Sequence, residues 1–432
     1  MRVGFVGLGK LGLPVATAMA SRGVHVLGFD IDPWRRRYDN GGFLEEGLDT
    51  LLEQGARGTL PLEFAPLERV VDETEIIFLA IQTPHDERFG GTLPLRDPPE
   101  DFDYTWLVRA VQDVVAERRA TDPVPLAVIS TVLPGTMERE VKPLLKNGLK
   151  LVYNPAFIAM GTVLQDFLHP EFVLLGVDDE EAAAKVQRFY ETLIPQASVQ
   201  RMSVASAELT KVAYNCAIST KIALANTLME ICDVTPGANV DEVTGALKLA
   251  NKRIASSAYM DAGLGDGGGC HPRDNIAMSW LARRLGLSHD PFGEAMIARE
   301  AQSTWLCNQI LSYIAPYRKW VIIAGYAFKP GTNITAGSPA LLLFHQLETE
   351  LAAMPNAPHP ILWDPHVDPM DRPFPLRTDE AAVVVIGCRH PEFVGWSGEG
   401  LAEGSVIIDP HRITGDSVPG VGIVKLGTGR HA

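Results

Sequence analysis

Gly7-Leu8-Gly9-Lys10-Leu11-Gly12 governs how the rest of the chain is read. The stretch follows a short apolar run, Val3-Gly4-Phe5-Val6, and opens a longer one, so it reads as the turn from a first strand into a first helix. Glycines at these positions allow a tight turn, close approach of backbone to a pyrophosphate, and close packing of helix on strand. The helix N-terminus then faces the negative charge. A glycine-rich turn with no ligand satisfies the same spacing. Asp30 separates the two readings, because it ends the second predicted strand eighteen residues after Gly12. A carboxylate there can bind both hydroxyls of a ribose and repels a 2′-phosphate, which points to NAD over NADP. Gly7, Leu8, Gly9, Lys10, Leu11, Gly12 and Asp30 are thus candidate cofactor contacts, with Arg35, Arg36 and Arg37 close by as a counterweight to that preference.

Beyond this turn, Val24–Phe29, Ile76–Ile81 and Ala127–Ser130 are further apolar runs closed by Asp, Thr-Pro or Ser-Thr, with longer amphipathic stretches between them. That rhythm predicts parallel strands covered by helices, and Leu151–Tyr153 and Phe172–Gly176 extend the same sheet. From Ser203 to Ile231 there is no Gly or Pro, and Leu209, Val212, Ala213, Cys216 and Ala223 recur at helical spacing. One long helix is expected there, with more helices to about Leu311. Strand texture returns at Trp320–Gly325, Ile361–Asp364, Ala382–Gly387 and Val406–Asp409. The fold class is α/β: an N-terminal Rossmann domain over 1–200, a central helical domain over 201–311, and a C-terminal Rossmann-like domain over 312–432. A cleft between domains is the expected ligand site.

The composition agrees with an enzyme-sized globular chain. Of 432 residues, 46% are hydrophobic and 21% charged. A net charge of −15 argues against nucleic-acid or anionic-membrane partners, though a local basic pocket for a small anion is compatible with it. Five scattered cysteines without a Cys-x-x-Cys pair fit a reducing compartment. No run has the apolar length of a membrane helix, and Lys10 interrupts the stretch that could imitate a signal peptide. A cytoplasmic location is expected.

Several segments carry chemistry. Thr83-Pro84 and Ser130-Thr131 sit at the carboxyl ends of predicted strands, the edge where ligands bind in an open parallel sheet. Ordinary turn chemistry explains either one alone. Lys211 and Asn215, four apart, share a helix face and suit an oxygen that gains negative charge; a solvated face is the plainer reading. Most informative is Gly263-Leu264-Gly265-Asp266-Gly267-Gly268-Gly269-Cys270-His271-Pro272-Arg273-Asp274. So much glycine bares backbone N–H groups to a ligand, and a cysteine at a helix start has a lowered pKa and nucleophilic character. A buried inert thiol suits the other four cysteines better than Cys270. His271, His366, His390 and His411 lack metal-ligand spacing and are read as structural, so no metal is expected. Glu117-Arg118-Arg119 and Asp178-Asp179-Glu180-Glu181 are read as solvated helix surface.

Taken in order, these pieces resemble the UDP-glucose/GDP-mannose dehydrogenase family over nearly the whole chain. The resemblance is carried by Gly7–Gly12, Asp30, Asn40-Gly41, Glu46-Gly47-Leu48, Thr83-Pro84, Ser130-Thr131-Val132 and Pro134-Gly135-Thr136. It continues in Asn154-Pro155, Gly161, Glu208-Leu209, Lys211, Asn215, Lys221, Asn226, the Cys270 loop with Asp274, Phe328-Lys329-Pro330, Ser338-Pro339 and Asp364-Pro365. It implies oxidation of a sugar-nucleotide CH2OH to a carboxylate by two hydride transfers to NAD, with a UDP-sugar favoured and polysaccharide biosynthesis as the setting. It also implies two Rossmann-like domains joined by a long helix that builds a homodimer. Cys270 would attack the intermediate aldehyde, and the thiohemiacetal would become a thioester that water hydrolyses. Lys211 and Asn215 would stabilise the oxyanion and contact substrate, while Asp274 and Thr131 would position or activate water. Arg253, Gly265, Gly267, Gly268, Phe328 and Lys329 match substrate contacts. Arg35, Thr83, Ser130 and Thr131 match cofactor contacts.

The chain also departs from the family's pattern. The usual Asn-Pro-Glu-Phe-Leu-Arg-Glu run is Asn154-Pro155-Ala156-Phe157-Ile158-Ala159-Met160, so both acids are gone. Loss of a general base costs roughly 10²–10⁴-fold where nothing replaces it. Ala336 stands where an arginine is expected near the cofactor, Asp266 replaces an aromatic residue, and Arg273 replaces a lysine. These changes describe a divergent branch. They leave two rivals: a dehydrogenase that stops after one oxidation, including a β-hydroxyacid type, and a catalytically silent nucleotide-binding scaffold.

Overall fold

Apolar runs of four or five residues bury both faces only when paired on both sides and covered by helices, and the first half of the chain does this. In the computed structural model, which describes residues 1–32, 45–84, 98, 100–159, 161–256, 261–265, 271–315, 318, 320–355, 357–367 and 374–428, the elements alternate. They are β1 (Arg2–Val6), α1 (Gly12–Ser21), β2 (His25–Phe29), α2 (Leu48–Ala56), β3 (Leu62–Phe64), α3 (Leu67–Asp72), β4 (Ile76–Leu79), α4 (Thr105–Glu117) and β5 (Val124–Val128). After these come β6 (Leu149–Tyr153), α5 (Val163–Leu168), β7 (Val173–Val177), α6 (Glu180–Leu193) and β8 (Val199–Ser203). The sheet order is β3-β2-β1-β4-β5-β6-β7-β8. Its first six places are the doubly wound order, with a switch point between β1 and β4. Side chains alternate across it. Phe5 and Phe78 stack, centroids 5.9 Å apart, on the face covered by α1, α2 and α6, whereas Val6 and Leu79 join α3 and α4 on the other.

Two features differ from the expectation of a uniformly parallel sheet. β7 pairs antiparallel with β6, and β3 and β8 were not evident in the sequence. Between β6 and β7 the described residues hold one helix, the six-residue α5, which packs on α1, and the chain turns back beside the strand it left. β3 is three residues long, and β8, Val-Gln-Arg-Met-Ser, lies at the sheet edge, where polarity on the exposed side is tolerated.

The chain divides into two compact units, Met1–Thr220 and Lys221–Ala432, and the cut falls within the thirty-residue helix α7 (Val204–Asp233). The second unit continues with α8 (Val240–Lys248), α9 (His271–Leu285), α10 (Pro291–Leu311), β9 (Trp320–Ala324), α11 (Pro339–Ala352), β10 (Pro360–Trp363), β11 (Ala382–Ile386), β12 (Ser405–Asp409) and β13 (Val421–Lys425). Asp290 and Ser338 cap α10 and α11, each followed by a proline at the first helical position. The five strands are parallel in the order β10-β9-β11-β12-β13, so this sheet too has a switch point, between β9 and β11. Among the described residues no helix is long and apolar enough to cross a membrane.

Candidate active site

At the first switch point, the chain leaves β1 through Gly7, whose φ of 93° disfavours any side chain. A Cβ on Gly7 would lie 2.4 Å from the Ala80 carbonyl oxygen, and one on Gly12 would lie 1.8 Å from the Gly7 oxygen. The turn is therefore pressed against β4 with no room for larger residues. Helix α1 starts at Gly12 with no side-chain cap and no acidic residue in its first turn, as an anion-binding N-terminus requires. Asp30 is nearly buried. Its Oδ2 accepts from Leu8 N at 2.6 Å and its Oδ1 from Asp32 N at 2.9 Å, so one carboxylate fixes both the glycine turn and the end of β2. Gly9 and Leu11 are half-buried and Lys10 is exposed at the turn's outer rim. This narrow cradle fits the pyrophosphate and ribose of a dinucleotide. Arg35 lies outside the described residues.

Next along the same edge, Thr83 Oγ1 donates to the Thr131 carbonyl at 2.6 Å, and Ser130 Oγ accepts from Ile81 N at 3.2 Å while donating to Ile81 O at 2.5 Å. These bonds stitch the carboxyl end of β4 to that of β5. The loop then turns through Gly135 into a short π-helical turn, Met137–Val141. Its N-terminal amides are held by Glu208 of α7, a fully buried carboxylate that accepts from Gly135 N at 2.6 Å and Met137 N at 2.7 Å. Burial raises the Glu208 pKa, and the two backbone N–H groups oppose that without cancelling it. Glu208 was part of the family pattern but carried no assigned role; its place three residues before Lys211, on the same helix face, is the signal that could have singled it out.

Lys211 itself is buried, with Nζ 2.7 Å from the Ala156 carbonyl oxygen and 5.0 Å from the Phe157 ring centroid. Burial away from water lowers its pKa. Since an ammonium carries three donors, one spent on Ala156 leaves others for an oxygen gaining charge. The loop carrying Ala156 is set by Asn154, which donates to Leu174 O at 3.1 Å and accepts from Tyr190 Oη at 2.7 Å. Ala156 packs against the apolar core, so hydrocarbon occupies that position. Asn215, one turn beyond Lys211, is exposed. Met160 lies outside the described residues.

In the second unit, Cys270, Asp266, Gly267 and Gly268 lie outside the described residues; Asp274 is in the first turn of α9, its side chain likewise outside. Gly265 has φ 45°, and Leu264 beside it is buried against Leu306. Arg253 is exposed in a turn. Phe328 and Lys329 follow β9 at the second switch point, with Phe328 N donating to Ile334 O at 2.9 Å and Lys329 Nζ 5.4 Å from the Phe328 ring centroid. Ala336 is exposed. At this edge Asp364, fully buried, accepts from the backbone of Tyr326, Ala327, His366 and Val367 and from His390 Nε2 at 3.1 Å. Burial pushes its pKa up, but the His390 and backbone bonds prevail and hold it at about 2.

His366, His390 and Glu392 offer one ligand atom each within 4.8 Å, a grouping that sequence spacing did not reveal. His390 has both ring nitrogens committed, Nε2 to Asp364 and Nδ1 accepting from Gly331 N at 3.3 Å, and its ring stacks on His366 at 4.4 Å. His390 thus has a structural role at Asp364, while His366 Nε2 lies 3.0 Å from Glu392 Oε1.

Residues 1–194 match the model described as UDP-glucose/GDP-mannose dehydrogenase family, NAD binding domain, and residues 205–299 match that family's central domain. The chain is 29% identical over 361 residues to UDP-glucose 6-dehydrogenase AglM of Haloferax volcanii, covering 80% of each chain. It is 31% identical over 360 residues to GDP-mannose 6-dehydrogenase of Azotobacter vinelandii, covering 80% of this chain and 78% of that one. A crystal structure of a ternary complex of GDP-mannose dehydrogenase from Pseudomonas aeruginosa has a TM-score of 0.82 at 23% identity, covering 98% of this chain and 99% of that chain, a likeness of fold.

Proposed function

The chain belongs to the UDP-glucose/GDP-mannose dehydrogenase family, and from that premise we propose that it oxidises the C6 hydroxymethyl of a nucleotide sugar, a UDP-sugar by preference, to a carboxylate. It is an NAD-dependent oxidoreductase acting on a CH–OH group. NAD supplies the hydride acceptor, one molecule for each of two oxidations. The observation that carries the reading is Lys211: a buried cation at the carboxyl edge of the NAD-binding sheet, with a lowered pKa and donors to spare.

In this reading the alcohol loses a hydride and a proton to give an aldehyde, while Lys211 and Asn215 hold the oxygen. The Cys270 thiolate adds to the aldehyde carbon, and the resulting thiohemiacetal loses a second hydride and a proton to become a thioester. Water, positioned by Asp274 and Thr131, cleaves the C–S bond and returns the thiol. The cradle at Gly7–Gly12 and Asp30 holds the cofactor, with Arg35, Thr83 and Ser130 beside it. Arg253, Gly265, Gly267, Gly268, Phe328 and Lys329 contact the nucleotide sugar. Exposed apolar residues on α7, Leu209, Ile218, Leu224 and Met229, support a homodimer through this helix, and a cytoplasmic location belongs to the proposal. The three-domain division at 200 and 311 is part of the same proposal.

A second reading, one oxidation ending at a carbonyl compound, is favoured by Ala156, whose methyl packs on the core where a carboxylate base would be useful. Counting products decides between them. Two NADH and one carboxylate per sugar support the thioester route; one NADH and a carbonyl support the alternative. Cys270→Ser should retain the first hydride transfer and lose carboxylate, because an alkoxide leaves far less readily than a thiolate. Unchanged carboxylate formation would exclude the covalent route. No hydride transfer with any nucleotide sugar would favour the silent scaffold.

A further inference from the structure

The loop that receives Lys211 is itself held by aromatic rings. The Phe157 ring meets Phe172, just before β7, with centroids 4.6 Å apart and planes at 49°, and meets Tyr214 of α7 at 4.9 Å and 67°. Tyr214 lies three residues beyond Lys211, hence on the same helix face. Its Oη donates to Glu171 Oε2 at 3.1 Å, which ties the ring to the segment that carries Phe172. A third contact completes the surroundings of Phe157: Lys211 Nζ stands over its ring, 5.0 Å from the centroid. The same nitrogen donates to the carbonyl of Ala156, the residue before.

An aliphatic side chain at 157 would fill similar space, but a ring adds attraction for charge. Its face carries the negative lobe of the quadrupole and draws a cation, most strongly where water is excluded. Lys211 is 8% exposed and, among the described residues, no carboxylate pairs with it. The acids on the elements around it are occupied elsewhere. Glu208 accepts from Gly135 and Met137, Glu171 from Tyr214, and Asp166 of α5 from Ala159 N and Thr162 Oγ1, both at 2.9 Å. Burial favours the neutral amine, and a π face opposes that without adding a negative charge. A carboxylate would oppose it more strongly, but it would cancel the field that an oxygen gaining charge needs.

We propose that Phe157 and Tyr214 are positioning residues for Lys211: Tyr214 and Phe172 lock the Phe157 ring, and its face steadies the ammonium at the carboxyl edge of the first sheet while leaving its charge uncancelled. The inference rests on the reading of Lys211 as the cation that meets the reacting oxygen. Competitive labelling of the full chain with trace acetic anhydride over roughly pH 6–11, read by mass spectrometry of the Lys211 peptide, follows the neutral amine and needs no substrate. Phe157→Leu, which keeps apolar bulk but has no π face, should move the Lys211 midpoint down by about 0.5–1.5 on the pH scale. Tyr214→Leu should move it down by less, and gives a readout even where Phe157→Leu fails to fold. Tyr214→Phe, which keeps the ring, should leave it in place. The sign separates the clamp from plain packing, because a loosened pack admits water and moves the midpoint up toward an ordinary lysine's, about 10.4. A midpoint that stays or rises in either leucine variant overturns the inference, as does one that falls equally in Tyr214→Phe. The reading beneath it fails on a different result, undiminished NADH formation from a nucleotide sugar by Lys211→Met.

Discussion

Glu208→Ala removes the only side chain shown to hold the amides of Gly135 and Met137, and the outcome can be worked out from the burial of the three groups. The carboxylate is fully buried, Met137 is fully buried, and Gly135 is half-buried. Each donor left without a partner in such surroundings costs about 1–3 kcal/mol, so the sum is about 2–6 kcal/mol. In a unit of this size about 1 kcal/mol moves a melting temperature by roughly 2–4 °C, so the variant should melt at least about 4 °C lower. Glu208→Gln keeps the shape but can turn only its oxygen toward one donor, and should lose about half as much. Function should suffer beyond stability, since the same carboxylate joins the helix carrying Lys211 to the loop that begins at Thr131. Differential scanning fluorimetry with and without NAD, together with turnover well below the melting range, measures both effects. A Glu208→Ala protein within about 1 °C of the parent, with unaltered turnover, would refute the claim that these two bonds hold the loop.

Four further outcomes follow from the geometry. Asp30→Ala should weaken NAD binding about 10–100-fold and erase the preference over NADP, the size expected for charge-assisted bonds to a ribose; Asp364→Asn should lower the melting temperature but leave NAD affinity within about twofold, and isothermal titration separates the two. Gly12→Ala should abolish NAD binding, because no movement of a methyl relieves 1.8 Å from the Gly7 oxygen short of displacing the turn; NAD affinity near that of the parent would disprove the packing role. His411, whose folded pKa of about 4 lies below its ordinary 6.5, favours the neutral ring in the folded state, so its contribution is full above pH 6.5 and is lost as pH falls through about 4. With Arg389, Arg412 and Asp409 around it, the loss should be at most about 3 kcal/mol, and His411→Gln should flatten the melting-temperature profile in that window; identical profiles would be the contrary result.

Central strands were legible because their burial on both faces leaves continuous apolar runs, as in Ile76–Leu79 and Ala382–Ile386. The strands that escaped notice are short or marginal: β3, and the edge strands β8 and β13, whose Gln200, Arg201, Gly422 and Lys425 break any apolar pattern. The glycine turn and Asp30 were readable because the turn, strand and helix that give them meaning are adjacent in sequence. Lys211 could be nominated by helical spacing, but its burial, and the carbonyl it faces 55 residues away, depend on how β6 and α7 meet. The grip of Arg389 and Arg412 on the Ala262 carbonyl is more remote still, joining residues 127 and 150 positions apart. Spacing rules describe a helix or a turn and carry no information at such separations.

The two sheets end their second strands on the same device, and the difference between the copies indicates which one holds a dinucleotide. Gly7 and Gly325 close the first strand of each sheet at φ 93° and 89°, and each donates its N–H to the last carbonyl of the neighbouring strand, Phe29 or Trp363. Asp30 and Asp364 then follow those strands, accepting from amides of the glycine turn and from the residue two positions on. Beyond this the copies diverge. Asp30 keeps 9% of its surface and, among the described residues, accepts from two backbone amides, which leaves lone pairs for ribose hydroxyls. Asp364 has no exposed surface, receives four backbone amides, and is sealed by His390. A ribose reaching Asp364 would have to displace a buried hydrogen bond, and a buried polar group left without its partner costs about 1–3 kcal/mol. The first copy has an open carboxylate beside an uncapped helix N-terminus. The second has turned the same carboxylate inward as a fastening, which leaves its outer loops, with Phe328, Lys329, Arg389 and Arg412, to serve other contacts.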